Sequence, residues 1–503
     1  MTNVIGAITW NIENGTLTIS GTGAIDNYNA GGAPWYPQQN IITSIVIQDG
    51  VTRIGNNAFN GCQFCISVII PSSITEIGEA AFKSCGSLLS LFIPNSILKI
   101  ERNAFNDCLN LKTVEIEEKC TGNLRFVGIS NTPGPHFENC KIETLFLGRD
   151  LETEKIDGAA SNGSPFSENP NKIYLKTVTI GDCVKKINDY SFNDCKNLEL
   201  LTFGKEEKLE RIGSFAFNGC SSLVGALNIP QEVEKIGECA FKSCSSLTSL
   251  IIPNSVLEIG RNAFSDCQNL KTVRIDDKCT GKLTFVGISN TPGPHFENCK
   301  IETLYLGRDL ETEKVNGAAS NGSPFSNNTY LKLIIIGDCV KEINDYSFYN
   351  CTDITQITSY PTTPPKIYEH TFSGVGKSVH NIPVLIDCYY QSTYKTAEHW
   401  SEFTNYRSID TQEQCELGIE DIISPQFVIY PNPTTGELII ENEKWRIEGI
   451  RIFDVYGREQ KTEKRKQEEE NGIQIDISEL STGIYFVRIS TEVGEVVRKI
   501  VKK

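Results

Sequence analysis

A phenylalanine followed three residues later by a cysteine recurs ten times in this 503-residue chain, always in the same local setting. The pairs are Phe59/Cys62, Phe82/Cys85, Phe105/Cys108, Phe137/Cys140, Phe192/Cys195, Phe217/Cys220, Phe241/Cys244, Phe264/Cys267, Phe296/Cys299 and Phe348/Cys351. The unit around them reads apolar-x-Ile-Pro-x-Ser-(Ile/Val)-x-x-Ile-Gly-x-x-Ala-Phe-x-x-Cys-x-x-Leu, and its commonest interval is 23 residues. Phe166, Phe325 and Phe372 stand where further copies fall but lack the cysteine. A period of roughly 20–29 residues gives each coil one short strand and one return segment, stacked on its neighbours. The spacing therefore predicts about 13 turns of a solenoid rather than a closed globule.

Within a coil, Val273 and Ile275 alternate with Arg274 as a half-buried strand requires. The same inward pairs are Ile45/Ile47, Val68/Ile70, Leu91/Ile93, Val114/Ile116, Leu145/Leu147, Val178/Ile180, Leu250/Ile252, Leu304/Leu306 and Ile334/Ile336. Proline or Gly-Asp then turns the chain. We expect Ile-Gly-x-x-Ala-Phe-x-x-Cys to return through a bend and a helical turn or two. A longer copy overlies the short one. Residues 81–167 and 240–326 align without gaps at an offset of 159, with FVGISNTPGPHFENCKIETL at both 126–145 and 285–304.

These coils resemble the BspA-type leucine-rich repeats of bacterial surface proteins. GAITWNIENGTLTISGTGAI with Pro34-Trp35-Tyr36 is similar to the opening cap of that family, and YPTTPPKIYEHTF with Tyr394, Ala397, Trp400 and Phe403 to its closing cap. Physical reasoning asks for the same parts: a hairpin turning at Asn14-Gly15 covers the first rung, and an aromatic-rich segment the last.

Past residue 411 the phased cysteines stop and alternating strands begin: Phe427–Tyr430, Leu438–Ile440, Ile450–Phe453, Ile473–Ile475, Ile484–Ile489 and Val496–Val501. Turns at Asn432-Pro433-Thr434-Thr435-Gly436 and Tyr456-Gly457 suggest a small β-sandwich. KTEKRKQEEE reads as a solvated loop. YPNPTTGELII, IRIFDVYGRE, IDISELSTGIYFVRI and VVRKIVKK resemble the type A sorting domain of the type IX secretion system. That resemblance implies contact between residues 425–503 and the secretion machinery, and a location outside the cell or on the outer-membrane surface. Met1-Thr2-Asn3-Val4-Ile5 carries no export signal, so we expect the natural start to be trimmed or misassigned.

The expected fold is thus a leucine-rich-repeat solenoid of short parallel strands with irregular or helical returns, plus a small C-terminal β-sandwich. Its parts are an N-terminal β cap and first strand over 1–50, repeats over 51–360, a closing cap over 361–410, a linker over 411–424, and an Ig-like sorting domain over 425–503.

His136 and Cys140, like His295 and Cys299, are four apart. That spacing places both on one face if the segment is helical, as a nucleophile pair or metal site needs. Eight other copies carry this cysteine without a histidine, so we read it as core. The ten phased cysteines are expected to pack as reduced thiols in a buried column. Cys65, Cys239, Cys388 and Cys415, off that phase, are the candidates for bridges. Cys120/Cys279 and Cys183/Cys339 recur once per long copy and stay unassigned. No Gly-x-Ser-x-Gly, phosphate-cradling loop or His-Glu-x-x-His is present, so we expect no enzyme and no cofactor.

Lys+Arg 47 against Asp+Glu 63 gives a net charge of −16, which disfavours nucleic acid or anionic membrane as partners. No apolar run is long enough to span a bilayer. Binding is expected on the outward strand positions, where Ile69, Phe92, Phe146, Ile251, Arg274, Tyr305 and Ile335 form the candidate face. Between the long copies Phe92 becomes Ile251, Glu115 becomes Arg274 and Phe146 becomes Tyr305, while the inward neighbours keep their type. BspA-type relatives are associated with adhesion, so the resemblance implies a non-enzymatic, adhesin-like protein recognising a host extracellular-matrix or cell-surface protein or glycan. A structural spacer of the cell envelope and a glycan-active enzyme are the alternatives.

Overall fold

A computed structural model describes residues 3–5, 7–127, 136–153, 165–166, 173–205, 208–286, 295–312, 323–376, 378–413, 415, 428–441, 447–454, 458–464, 473–491 and 494–503. Most of the expected linker, the Tyr456-Gly457 turn and the acidic half of KTEKRKQEEE lie outside them. Two units emerge: Met1–Val384 with Thr393–Asn405, and Leu385–Ser392 with Tyr406–Lys503.

The first unit is a parallel-strand solenoid of about 14 turns. Each typical coil has a front strand such as Thr113–Ile116, a turn, a two-residue return strand such as Lys99–Ile100, and a corner. Neighbouring coils stack in register, Val114 beside Leu91 and Leu145, and Ile100 beside Ile77. Because the pleat has period two, this register sends every Val114-type side chain inward. Leu91, Val114, Ile116, Leu145 and Val178 are all buried.

The corners differ from expectation: they are tight turns and not helix. In the coil of Phe105, Asn103 (φ 60°) and Asp107 (φ 61°) both adopt the left-handed conformation, and the pattern repeats at Asn262 (φ 55°) and Asp266 (φ 62°). Two such residues within five break any run of i→i−4 bonds. They swing the chain back while aiming the intervening phenylalanine at the core.

Those phenylalanines form one ladder. Starting from Trp35, the rings of Phe59, Phe82, Phe105, Phe137 and Phe166 stack at centroid distances of 5.1–5.5 Å. After a wider 6.5 Å step, Phe192, Phe217, Phe241, Phe264, Phe296 and Phe325 continue at 5.2–5.6 Å. Phe348 and Phe372 complete it. Each buried ring contributes about 2–3 kcal/mol of apolar transfer, and each stacked pair roughly 1 kcal/mol more.

Both ends are covered as the sequence suggested. Strands Ile8–Glu13 and Thr16–Gly21 form the hairpin, with Asn14 and Gly15 at φ 48° and 78°. Trp35 seals the ladder and donates from Nε1 to the Ala58 carbonyl at 2.7 Å. At the far end Phe403 meets Phe372 edge-on at 5.4 Å, and Trp400 Nε1 donates to the Pro365 carbonyl at 2.6 Å. The Tyr394 hydroxyl lies 2.8 Å from Ser359 Oγ and donates to the Pro361 carbonyl at 2.9 Å.

Three disulfides are present, and only Cys388–Cys415 joins residues singled out for bridging. Cys65 and Cys239 are free and buried; the Cys65 thiol donates to the Ser67 carbonyl at 3.2 Å instead. The other two bridges are Cys120–Cys183 and Cys279–Cys339. Each links coils two apart and passes over the coil between. Lys119 N–H donates to the Gly148 carbonyl at 3.2 Å, and a Cβ on Gly148 would lie 2.4 Å from the Ile116 carbonyl oxygen. Glycine is the residue that lets the strap cross there.

The second unit carries an antiparallel sandwich. One sheet orders Val428–Tyr430, Glu437–Glu441 and Ile473–Asp476; the other orders Glu459–Lys464, Ile447–Asp454, Gly483–Thr491 and Gly494–Lys502. Leu438, Ile440 and Ile475 from the first pack with Ile450, Ile452, Val487, Ile489 and Ile500 from the second. The start of KTEKRKQEEE is not loop but the end of strand Glu459–Lys464, paired with Ile447–Asp454. An edge strand tolerates such charge, and charge there discourages further pairing.

Candidate functional site

The front strands build a surface of parallel rows. Immediately before the strands runs Ile66, Leu89, Lys112, Glu143, Lys176, each linked to the next by a backbone bond. In this row Glu143 lies 3.1 Å from Lys112 and 3.0 Å from Lys176, and the lysines hold its carboxyl below the usual range, Lys176 foremost. The duplicate repeats the ladder as Lys271–Glu302–Lys332, at 3.5 and 3.0 Å. A second row is hydroxylic, with Ser44 Oγ 3.0 Å from Ser67 Oγ. The third is the variable outward row.

In that row the candidates divide. Ile69 is 58% exposed and Phe92 43%. With Ile66 (50%) and Leu89 (53%) they make an apolar patch on two consecutive coils. Phe146, Ile251, Arg274 and Ile335 are half-buried. Tyr305 corrects the expectation: it points outward, between inward Leu304 and Leu306, yet is 8% exposed. The Arg274 guanidinium lies 4.0 Å over its ring, and its hydroxyl donates to the Asp277 carboxylate at 2.8 Å. Arg274 Nε in turn donates to Asp276 at 2.7 Å. Gly337 makes room, since a Cβ there would sit 2.9 Å from the Tyr305 hydroxyl. Alternation gives a side chain's direction; neighbours decide whether water reaches it.

The histidine–cysteine pairs serve the core. His295 replaces the alanine of the corner, is buried, and bonds from Nε2 to the Val286 carbonyl at 3.0 Å. His136 does the same with the Val127 carbonyl. The Cys140 and Cys299 thiols donate to the Phe105 and Phe264 carbonyls at 3.2 and 3.1 Å. All ten phased cysteines are free and buried, and burial pushes the Cys62 and Cys351 thiols up to about 12. Such thiols are poor nucleophiles.

Two functional-looking cations went unread in the sequence. Arg149 and Arg308 are fully buried. Arg308 donates from Nη1 to the Asn254 carbonyl at 3.1 Å and from Nη2 to the Pro253 carbonyl at 3.0 Å; Arg149 binds Asn95 and Pro94 likewise. Desolvation lowers both guanidinium pKa values to about 10, opposed by Asp276 and Glu117 respectively, so both stay charged at neutral pH. The recurrence of Gly-Arg-Asp beside Pro-Asn-Ser in both long copies was the available signal.

Stacked coils with parallel front strands, a phenylalanine spine and paired caps define a leucine-rich-repeat protein. The model of the BspA-type leucine-rich-repeat region matches in six copies, over 36–153, 170–290 and 320–419, and the chain belongs to that family. Residues 428–503 match a secretion-system C-terminal sorting domain, which implies export to the surface or beyond. No curated protein matches the chain. Among solved structures it is similar to a leucine-rich-repeat protein from Bacteroides ovatus, 22% identical over 81% of this chain and 99% of that one, TM-score 0.35. It is also similar to a leucine-rich cell-surface protein from Faecalibacterium prausnitzii, 21% identical over 75% and 93%, TM-score 0.29. No helix among the described residues is long and apolar enough to cross a membrane.

Proposed function

We propose that the solenoid is the binding module of a surface-displayed or released, non-enzymatic protein, and that its front sheet recognises a host extracellular-matrix or cell-surface macromolecule. The observation that carries this reading is the patch of Ile66, Ile69, Leu89 and Phe92, each 43–58% exposed on two adjacent coils. Folding alone does not require four large apolar side chains to face water in one place, and such patches mark partner surfaces. The sorting tail and three disulfides support an oxidising, exported setting.

The test is capture of matrix proteins and mucins by the immobilised full-length chain, compared with Phe92→Asp and Ile69→Asp. Capture weakened at least about tenfold by either change supports the sheet face. Capture untouched by both moves the site elsewhere, and no capture at all favours a spacer role.

A further inference from the structure

The corners of neighbouring coils are normally stitched by backbone bonds. Phe264 N–H reaches the His295 carbonyl at 3.1 Å and Asp266 N–H the Glu297 carbonyl at 2.7 Å. One level on, between residues 296–299 and 323–328, no such bond exists among the described residues. Stitching resumes beyond, with Asn327 N–H to the Tyr349 carbonyl at 2.8 Å. The cores of the two parted coils still touch, Phe296 stacking on Phe325 at 5.2 Å. The coils therefore diverge only at the surface, and a cleft of about 510 Å3 opens between them.

Its lining is unusual for this chain. Glu297, Asn298 and Lys300 form one wall; Asn328, Thr329 and Tyr330 form the other. Asn328 occupies the slot that holds the phased cysteine in other coils. Its Oδ1 accepts the Tyr330 N–H at 3.1 Å, which fixes the amide's orientation. Its Nδ2 is then buried with no acceptor. The wall of the cleft therefore carries an uncompensated amide donor. Tyr330 is 46% exposed at the rim, with the Lys300 ammonium 5.7 Å from its ring centroid.

We propose that this cleft binds a neutral saccharide. The volume falls within the range of small-ligand sites, roughly 300–1,000 Å3. One carboxylate and one ammonium balance in charge, so nothing selects a charged ligand. Amides, hydroxyls and unstitched backbone donors suit a ring of hydroxyl groups, while the Tyr330 face suits the C–H face of a pyranose. The cleft lies at a corner, apart from the front sheet, and does not depend on the function proposed above.

Isothermal titration of the full-length chain with chitotriose, maltotriose, cellotriose and sialyllactose tests it. We expect one of the neutral sugars to bind with Kd on the order of 10⁻⁴ M. Tyr330→Ala should weaken it at least about tenfold, and Tyr330→Phe less than about threefold, since the ring and not the hydroxyl is the platform. Tyr349→Ala, an exposed tyrosine outside the cleft, should leave it unchanged, and all three variants should keep the parent melting temperature. Binding of none of the neutral sugars, binding of sialyllactose alone, or equal affinity in Tyr330→Ala of unchanged melting temperature overturns the proposal.

Discussion

The Cys140 thiol donates to the backbone carbonyl of Phe105, one coil earlier, at 3.2 Å. The same link joins Cys85 to Phe59, Cys220 to Phe192, Cys244 to Phe217 and Cys351 to Phe325, at 3.2–3.4 Å. Each of these carbonyls already accepts a backbone N–H within its own corner, as Phe105 does from Cys108 at 3.4 Å, so the next coil's thiol fills its second lone pair and ties phenylalanine and cysteine of neighbouring coils together. An alanine there would fill less space and donate nothing.

The thiol column should be inert until the solenoid opens. Native protein is expected to give almost no reaction with a thiol reagent such as DTNB, and denatured, unreduced protein to titrate the twelve free cysteines Cys62, Cys65, Cys85, Cys108, Cys140, Cys195, Cys220, Cys239, Cys244, Cys267, Cys299 and Cys351. Rapid labelling of the native chain would contradict the buried column.

Each coil-skipping disulfide closes a long loop: Cys120–Cys183 spans 63 residues. Cys120→Ser with Cys183→Ser should therefore destabilise the solenoid by about 2–4 kcal/mol, read as a lower urea midpoint. An unchanged midpoint would mean the strap does not constrain the unfolded chain.

Fully buried Arg308 binds the Asn254 carbonyl and the Pro253 carbonyl, the latter shared with the Val256 N–H at 3.3 Å. Arg308→Leu should cost about 2 kcal/mol through the loss of these two charge-assisted bonds, even though it removes a desolvated charge. The same comparison of urea midpoints reads it, and a rise in stability would show that desolvation outweighs the two hydrogen bonds.

Burial lowers the His295 pKa from 6.5 to about 4. The unfolded chain therefore binds this proton first as the pH falls. Stability from this group is full above about 6.5 and declines between 6.5 and 4, by roughly 3 kcal/mol in total. His295→Gln keeps a donor for the Val286 carbonyl without titrating. Its melting temperature should fall less than the parent's between pH 7 and pH 4.5, and an equal fall would place the acid sensitivity elsewhere.

Much of this was legible beforehand, and for one reason. In a solenoid the same position meets the same environment in every coil, so repetition in the sequence is repetition in space. The pattern identified Phe105 and Cys108 as core, Trp35 and Trp400 as caps, and Ile69 and Phe92 as outward. It misread the corners, because Asn103 and Asp107 are compatible with a helical turn until their left-handed conformations are known. It also overvalued Tyr305, whose neighbours Arg274 and Asp277 come from another coil.

The sequence by itself determined the coil, its inward column and its caps, since these follow from spacing along one stretch of chain. Only the tertiary structure decided that Cys120 pairs with Cys183, that Arg308 reaches Pro253 and Asn254, and that the corners part beside Asn328. Each of those depends on which residues of separate coils come to lie against one another. Spacing along a single coil does not encode such contacts.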